Sequence, residues 1–146
     1  MTFKNTKSEV KFVPKGWGFE KWVDNRAEYC GKLLYFVKGR KCSLHYHKLK
    51  TETFYVHQGK IMVLWSDEVK KLETIKDDIG LDPVRRLFGI PPWHEEYCEK
   101  TILTQGDTFF VPPGRLHQMI ALEDTELFEF SSQHFEEDSY RIVKGD

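Results

Sequence analysis

The chain has 146 residues, with 22 basic and 23 acidic side chains and a formal net charge of −1. A chain of this length forms one domain of ordinary size. The near balance of charge argues against the clustered basic surface that nucleic acids and anionic membranes require. We therefore predict a single domain over residues 1–146 that binds neither of them.

The composition favours β-structure. The chain contains 11 Phe, 6 Tyr and 4 Trp, whereas alanine, the best helix former, occurs only at Ala27 and Ala121. Many short apolar segments separated by turn residues are typical of a β-sandwich or barrel, so we predict an all-β fold. The predicted strands are Leu33–Val37, Ser43–His47, Thr53–His57, Lys60–Trp65, Thr101–Leu103, Thr108–Val111, Gln118–Leu122 and Glu126–Ser131.

Residues 66–98 interrupt this series of strands. Ser66 can cap a helix that would end at Gly80. The apolar residues with helical spacing are Val69, Leu72, Ile75 and Ile79. The segment after Gly80 is marked by proline and glycine and is predicted to be an irregular loop. We expect a partly helical insertion that forms a lid or pocket wall, or that covers a sheet edge.

The cysteines indicate a reducing compartment. Cys30, Cys42 and Cys98 are widely spaced and form no CxxC pair. The amino-terminal residues lack the apolar stretch of a signal peptide, and no segment approaches the roughly 20 apolar residues of a membrane span. These features predict free thiols and a cytoplasmic location.

Residues 39–59 carry the clearest chemical signal. His45 and His47 are two residues apart, so on a strand they point to the same face and their imidazoles can converge on one ion. Glu52 follows at the start of the next strand, and His117 comes directly after a Pro-Gly turn. Three imidazoles and a carboxylate leave open positions on an octahedral ion. We therefore predict one divalent metal ion, with zinc, manganese, iron, cobalt and nickel all open.

These intervals resemble the two sequence motifs of the cupin superfamily. The first motif corresponds to Gly39, His45, His47, Glu52 and Gly59. The second corresponds to Gly106, Pro112, Gly114 and His117, with Ala121 where the family pattern has asparagine. The resemblance implies a single-domain cupin, a double-stranded β-helix or jelly-roll barrel with the metal inside and the insertion between the two motifs. It also implies a homodimer.

The flanking segments resemble the small cupin module of type II mannose-6-phosphate isomerases. The resemblance is carried by the Trp17–Gly18 pair near the start and by Glu137, Asp138 and Arg141 near the end. It implies a metal-dependent aldose–ketose isomerase that acts on a sugar or sugar phosphate. The long insertion departs from the compact pattern of that family, which leaves the substrate open.

Such an isomerase needs a base and, for a phosphate, cations. Glu129 is the candidate base because it lies on the last core strand, opposite in direction to two neighbouring phenylalanines. Arg115 lies in the turn before the last predicted ligand, and Arg141 lies near the chain end. Lys41 shares strand parity with the two motif histidines. We predict catalytic roles for Glu129, Arg115 and Lys41, and substrate binding by Arg115, Arg141 and Lys41.

Two other functions fit the same residues, because a cupin fold alone does not determine the reaction. The same ligands could hold Fe(II) in a dioxygenase, or the protein could be a sugar-binding cupin without activity.

Other candidate metal ligands are weaker. The segment 94–98 misses the HExxH zinc motif at its last position, and His57 and Cys42 alternate away from the predicted ligands.

Overall fold

The structure is a computed structural model that describes residues 7–79 and 87–146. These ranges contain eleven strands, the helix α1 at Val69–Ile79 and two short 3₁₀ helices at Trp93–Tyr97 and Glu136–Asp138. The strands are β1 Lys11–Lys15, β2 Gly18–Asn25, β3 Cys30–Phe36, β4 Leu44–Tyr46, β5 Glu52–Gln58, β6 Lys60–Ser66, β7 Glu99–Thr104, β8 Thr108–Val111, β9 Leu116–Ala121, β10 Thr125–Ser131 and β11 Tyr140–Val143.

The strands form two antiparallel sheets that face each other as a jelly-roll barrel. Six strands pair in the order β1-β2-β3-β10-β5-β8, and five pair in the order β11-β4-β9-β6-β7. Side chains alternate between the two faces of each strand, so one face of each sheet points into the barrel. Val56, Ile61, Val63 and Leu127 are fully buried there. The predicted all-β fold is confirmed.

Three strands were not predicted, and they share one property. Strands β1, β2 and β11 mix charged and apolar side chains without the regular apolar alternation that marks a half-buried strand. Glu20 and Trp22 on β2 explain why, since both line a polar cavity and not the apolar core. The inward face of a strand is therefore not always apolar, and hydrophobic periodicity misses such strands.

Helix α1 spans Val69–Ile79 and confirms the helical part of the insertion. Just before it, Ser66 Oγ accepts a hydrogen bond from the backbone N–H of Glu68, as expected of a residue at a helix start. Gly80, the predicted end of the helix, lies outside the described residues, as does the first part of the predicted loop, residues 81–86.

The insertion covers the outer face of the five-stranded sheet. Leu72 of α1 is fully buried in a cluster with Leu44, Leu116 and Ile142, and Trp93 packs against the same cluster. Among the described residues of the insertion, none lines the cavity inside the barrel. The described part of the insertion therefore does not form the predicted lid or pocket wall, because the apolar stripe of α1 packs on the side of the sheet that points away from the cavity.

Within residues 7–79 and 87–146, no helix has the length and apolar character needed to cross a membrane. Cys30, Cys42 and Cys98 are free thiols. The cytoplasmic location stays a prediction.

Candidate metal centre

Three histidines converge inside the barrel. Strands β4 and β9 are neighbours, and their pairing places His45 directly opposite His117. His47 follows just after β4 and points to the same side. The possible ligand atoms of these three residues all lie within 4.8 Å of one another, and His47 and His117 are buried. The structure thus brings together the three histidines that the sequence selected.

Backbone carbonyls hold all three imidazoles in the same tautomer. A carbonyl oxygen can only accept a hydrogen bond, so each Nδ1 donates and each Nε2 keeps a lone pair when the ring is neutral. The Nδ1-to-oxygen distances are 2.9 Å for His45 and Ser43, 2.8 Å for His47 and Asp138, and 3.0 Å for His117 and Arg115. Such hydrogen bonds orient the imidazoles that ligate metals.

Glu52 approaches the same point from the opposite sheet. Its Oε2 lies 3.3 Å from His117 Nε2 and 3.7 Å from His47 Nε2. This oxygen is buried and has no hydrogen-bond partner among the described residues. Lone pairs therefore face one another across a gap that a cation would fill. Ligand atoms bound to one ion at about 2.1 Å lie about 3.0–3.4 Å apart, which matches the closer distance and is near the longer one.

The protonation of these groups also suits a cation. Burial, and then the neighbouring imidazoles, lower the pKa of His45 well below its usual range. Burial alone would raise the pKa of Glu52, but the contact with His117 and the charge of Lys50 hold it well below its usual range. Neutral imidazoles and an ionised carboxylate are the forms that bind metal. Three nitrogens and one oxygen fit zinc, manganese, iron, cobalt or nickel.

Lys50 is a buried cation next to this cluster. Its Nζ lies 3.0 Å from Glu52 Oε1, 2.7 Å from Glu129 Oε2 and 3.0 Å from His134 Nδ1. Burial opposes the charge, but the two carboxylates more than compensate and raise the pKa of Lys50. The sequence analysis missed Lys50 and His134. Lys50 lies in the turn between β4 and β5, where strand alternation gives no direction for a side chain.

Glu129, the predicted base, is buried and lines the cavity. Its Oε2 accepts hydrogen bonds from Lys50 and, at 2.9 Å, from Ser131 Oγ. Its Oε1 makes no hydrogen bond within the described ranges. Burial, followed by the negative charge of Glu52, raises the pKa of Glu129. The site therefore has a carboxylate oxygen that is free to take a proton.

The cavity around these groups has a volume of about 530 Å³, a usual size for a small-molecule site. Opposite the histidines, Lys32 Nζ lies 3.7 Å from Glu20 Oε1 and 4.2 Å from the centre of the Trp22 ring. Lys32 occupies an inward position of β3 between Cys30 and Leu34, both buried. A charged residue at a core position of a strand is the sequence signal that could have indicated this cavity.

Arg141 lines the cavity, and its partner in the β11–β4 pairing is His45. Two of the predicted cations lie elsewhere. Arg115 points away from the cavity, where its Nε and Nη2 lie 2.9 and 3.1 Å from the carboxylate oxygens of Asp67. Its guanidinium also stacks on Trp65 at 4.4 Å. The predicted catalytic and substrate-binding roles of Arg115 are therefore corrected, since an external ion pair holds the side chain.

Lys41 is the second correction. The prediction that the Lys41 side chain points into the site assumed an unbroken strand from Lys41 to His47. Strand β4 begins only at Leu44, however, and Lys41 forms an isolated bridge with Ile120. The intervening backbone changes the alternation, so that Cys42 lines the cavity and Lys41 does not. The prediction that Cys42 points away from the ligands is corrected for the same reason.

Asp138 fixes the turn that carries the site. Its carboxylate accepts hydrogen bonds from the backbone N–H groups of Lys48, Leu49 and Lys50 at 2.9–3.2 Å. Its backbone carbonyl accepts the Nδ1–H of His47. One buried residue therefore positions both a candidate ligand and the lysine beside it.

Replacing Asp138 with alanine would leave three backbone donors without their charged acceptor. Since a hydrogen bond to a charged group contributes about 1.5–3 kcal/mol, we expect the free energy of unfolding to fall by about 3–5 kcal/mol. Chemical denaturation measures this loss. Glu137→Ala changes an exposed neighbour and should cost less than about 0.5 kcal/mol. Equal losses in the two variants would contradict the role of Asp138.

The two antiparallel sheets thus enclose a histidine cluster of the kind that can hold a metal ion. A family profile described as cupin matches residues 33–142. The chain therefore belongs to the cupin family. No curated protein matches the sequence significantly.

Solved structures are similar in fold. KdgF from Halomonas sp. matches 94% of this chain and 98% of its own, with 20% identity and a TM-score of 0.60. The capsular polysaccharide assembling protein CapF from Staphylococcus aureus matches 98% of this chain, with 11% identity and a TM-score of 0.66. Oxalate decarboxylase from Bacillus subtilis matches 92%, with 17% identity and a TM-score of 0.66. This chain spans only 37% and 30% of the latter two chains.

Proposed function

We propose that this cupin is a metal-dependent isomerase that moves a carbonyl group between adjacent carbons of a small sugar or sugar phosphate. One observation carries the proposal. Glu129, whose Oε1 makes no hydrogen bond among the described residues, lines the same cavity as the three histidines and Glu52. An acceptor for a carbon-bound proton beside a metal site is what this reaction requires.

The roles of the residues follow from their positions. A divalent ion held by the three histidines and Glu52 would supply Lewis acidity to the carbonyl oxygen. Glu129 Oε1 takes the proton from the carbon next to the carbonyl and returns it to the former carbonyl carbon, while the hydroxyl proton moves between the two oxygens. Lys50 and Ser131 hold Glu129 Oε2, so that the other oxygen keeps its direction.

Cations at the cavity fit an anionic substrate. Arg141, Lys15 and Lys144 are exposed, line the cavity and form no ion pair among the described residues. Of the two acidic residues beside them, Asp146 accepts the backbone N–H of Lys41, and Glu136 is mostly exposed to solvent. We propose that Arg141, as predicted from the sequence, binds the phosphate or carboxylate of the sugar.

The test is proton exchange at the carbon next to the carbonyl. The protein, loaded in turn with zinc, manganese, cobalt, nickel or iron, is mixed with mannose 6-phosphate in heavy water and followed by NMR. We expect loss of the C2 proton signal together with formation of the ketose. Absence of exchange with every metal would contradict the proposal for this substrate.

The same samples separate the rival functions. Oxygen consumption only with iron, and oxygen in the product, would favour a dioxygenase. Tight sugar binding without turnover would favour a sugar-binding cupin. The homodimer stays a prediction.

A further inference from the structure

We propose that Lys50 is a positioning residue that makes Glu52 a one-oxygen ligand. Its ammonium holds Glu52 Oε1 away from the histidines, so that only Oε2 is presented to the ion. This role rests on the metal site of the proposed function, and it adds a reason why that site keeps room for a substrate.

The hydrogen bonds around Lys50 show how its ammonium group separates the two oxygens of Glu52. Glu52 Oε1 lies 3.0 Å from Lys50 Nζ, whereas Oε2 has no hydrogen bond to any described residue and lies 3.3 Å from His117 Nε2. An ammonium group has three donors, and Glu129 Oε2 and His134 Nδ1 occupy the other two. Lys50 therefore cannot follow a rotation of the Glu52 carboxylate without losing a contact.

The backbone contact and the burial of Lys50 keep its side chain in place. Its N–H lies 3.1 Å from Asp138 Oδ2, and the residue is only 2% exposed. Both ends of the side chain are thus fixed. A carboxylate can bind an ion through one oxygen or two, and the one-oxygen mode, with three histidines, leaves two positions on an octahedral ion. Two positions accept the adjacent oxygens of a sugar carbonyl and hydroxyl.

The charge of Lys50 and its positioning of Glu52 predict opposite effects of a Lys50 replacement on metal affinity, which makes the role testable. An ammonium repels a divalent cation, so if only its charge mattered, removing it would tighten metal binding. If Lys50 positions Glu52, removing it frees the carboxylate to rotate, and Oε2 is no longer held toward the histidines. Metal binding then becomes weaker.

The experiment is a titration of metal-free protein with Co²⁺, followed by visible absorption and without substrate. Lys50→Met is compared with Lys32→Met. Lys32 is a matched control, because it is also a buried lysine of the cavity, 3% exposed, but pairs with Glu20 and not with a candidate ligand. If Lys50→Met does not fold, Lys50→Gln takes its place with the same expectations. The Lys50 variant is also made in a Glu52→Ala background.

We expect Lys50→Met to weaken Co²⁺ binding by about 10–100-fold, and Lys32→Met by less than about threefold. With Glu52→Ala already present, the Lys50 replacement should no longer weaken Co²⁺ binding, because the positioning effect acts through Glu52. Tighter binding by Lys50→Met, equal effects of the two lysines, or the same weakening in both backgrounds would overturn the role. If the parent protein binds no metal, the proposed function falls as well.

Discussion

Replacing both His45 and His47 with alanine is expected to weaken binding of a divalent ion by at least about a thousandfold and to abolish turnover. Zinc binds four-ligand peptide sites with an apparent free energy of about 10–16 kcal/mol, so each ligand contributes on the order of 3 kcal/mol. Both imidazoles present an Nε2 lone pair to the cavity, and no other histidine of the described chain joins the cluster. The remaining two ligands cannot hold the ion through dialysis.

Metal content after loading and dialysis, determined by elemental mass spectrometry, measures this loss. The control is His57→Ala, because His57 is exposed at the end of β5 and packs beside Phe128 outside the barrel. The control should retain about one equivalent of metal. Retention of one equivalent by the double variant would contradict the assignment of the ligands, as would loss of metal in the control.

Replacing Glu129 with glutamine is expected to lower turnover by about 100–10,000-fold while the metal stays bound. The amide has nearly the same shape but cannot take a proton from carbon. Its neighbours are Lys50 and Ser131 and not the histidines, so the ligand set is preserved. The parent activity should also fall as the pH is lowered through the raised pKa of Glu129, since the base must be ionised.

Steady-state rates and metal content, measured on the same samples, separate these effects. Glu126→Gln is the matched control, because Glu126 lies on the same strand, three residues away and on the outer face. We expect the control to keep the parent rate. A Glu129→Gln protein with full metal and a rate within about threefold of the parent would exclude Glu129 as the base.

The sequence predicts the ligands well because their geometry is local. Residues that are two apart on one strand lie on the same face, and this alone places His45 and His47 together. The carboxylate of Glu52 and the imidazole of His117 come from other strands, and only the resemblance to the cupin motifs connects them before the fold is known. The spacing of conserved family motifs thus substitutes for tertiary information.

The surroundings of the ligands could not be predicted in this way. Lys50 lies in a turn, and its three partners come from β5, β10 and the segment after β10. Arg115 has the right sequence position for a substrate cation, but Asp67 and Trp65 hold it outside the barrel. These directions depend on contacts between distant segments, which periodicity does not encode.

The most direct test of the metal centre is X-ray absorption at the edge of the bound metal in the loaded parent protein. We expect three imidazoles and only nitrogen and oxygen atoms bound to the metal, with Glu52 contributing one oxygen. The histidine signal should disappear in the His45→Ala/His47→Ala protein. Fewer than three imidazoles in the parent, or sulfur from Cys42 in the first shell, would contradict the account.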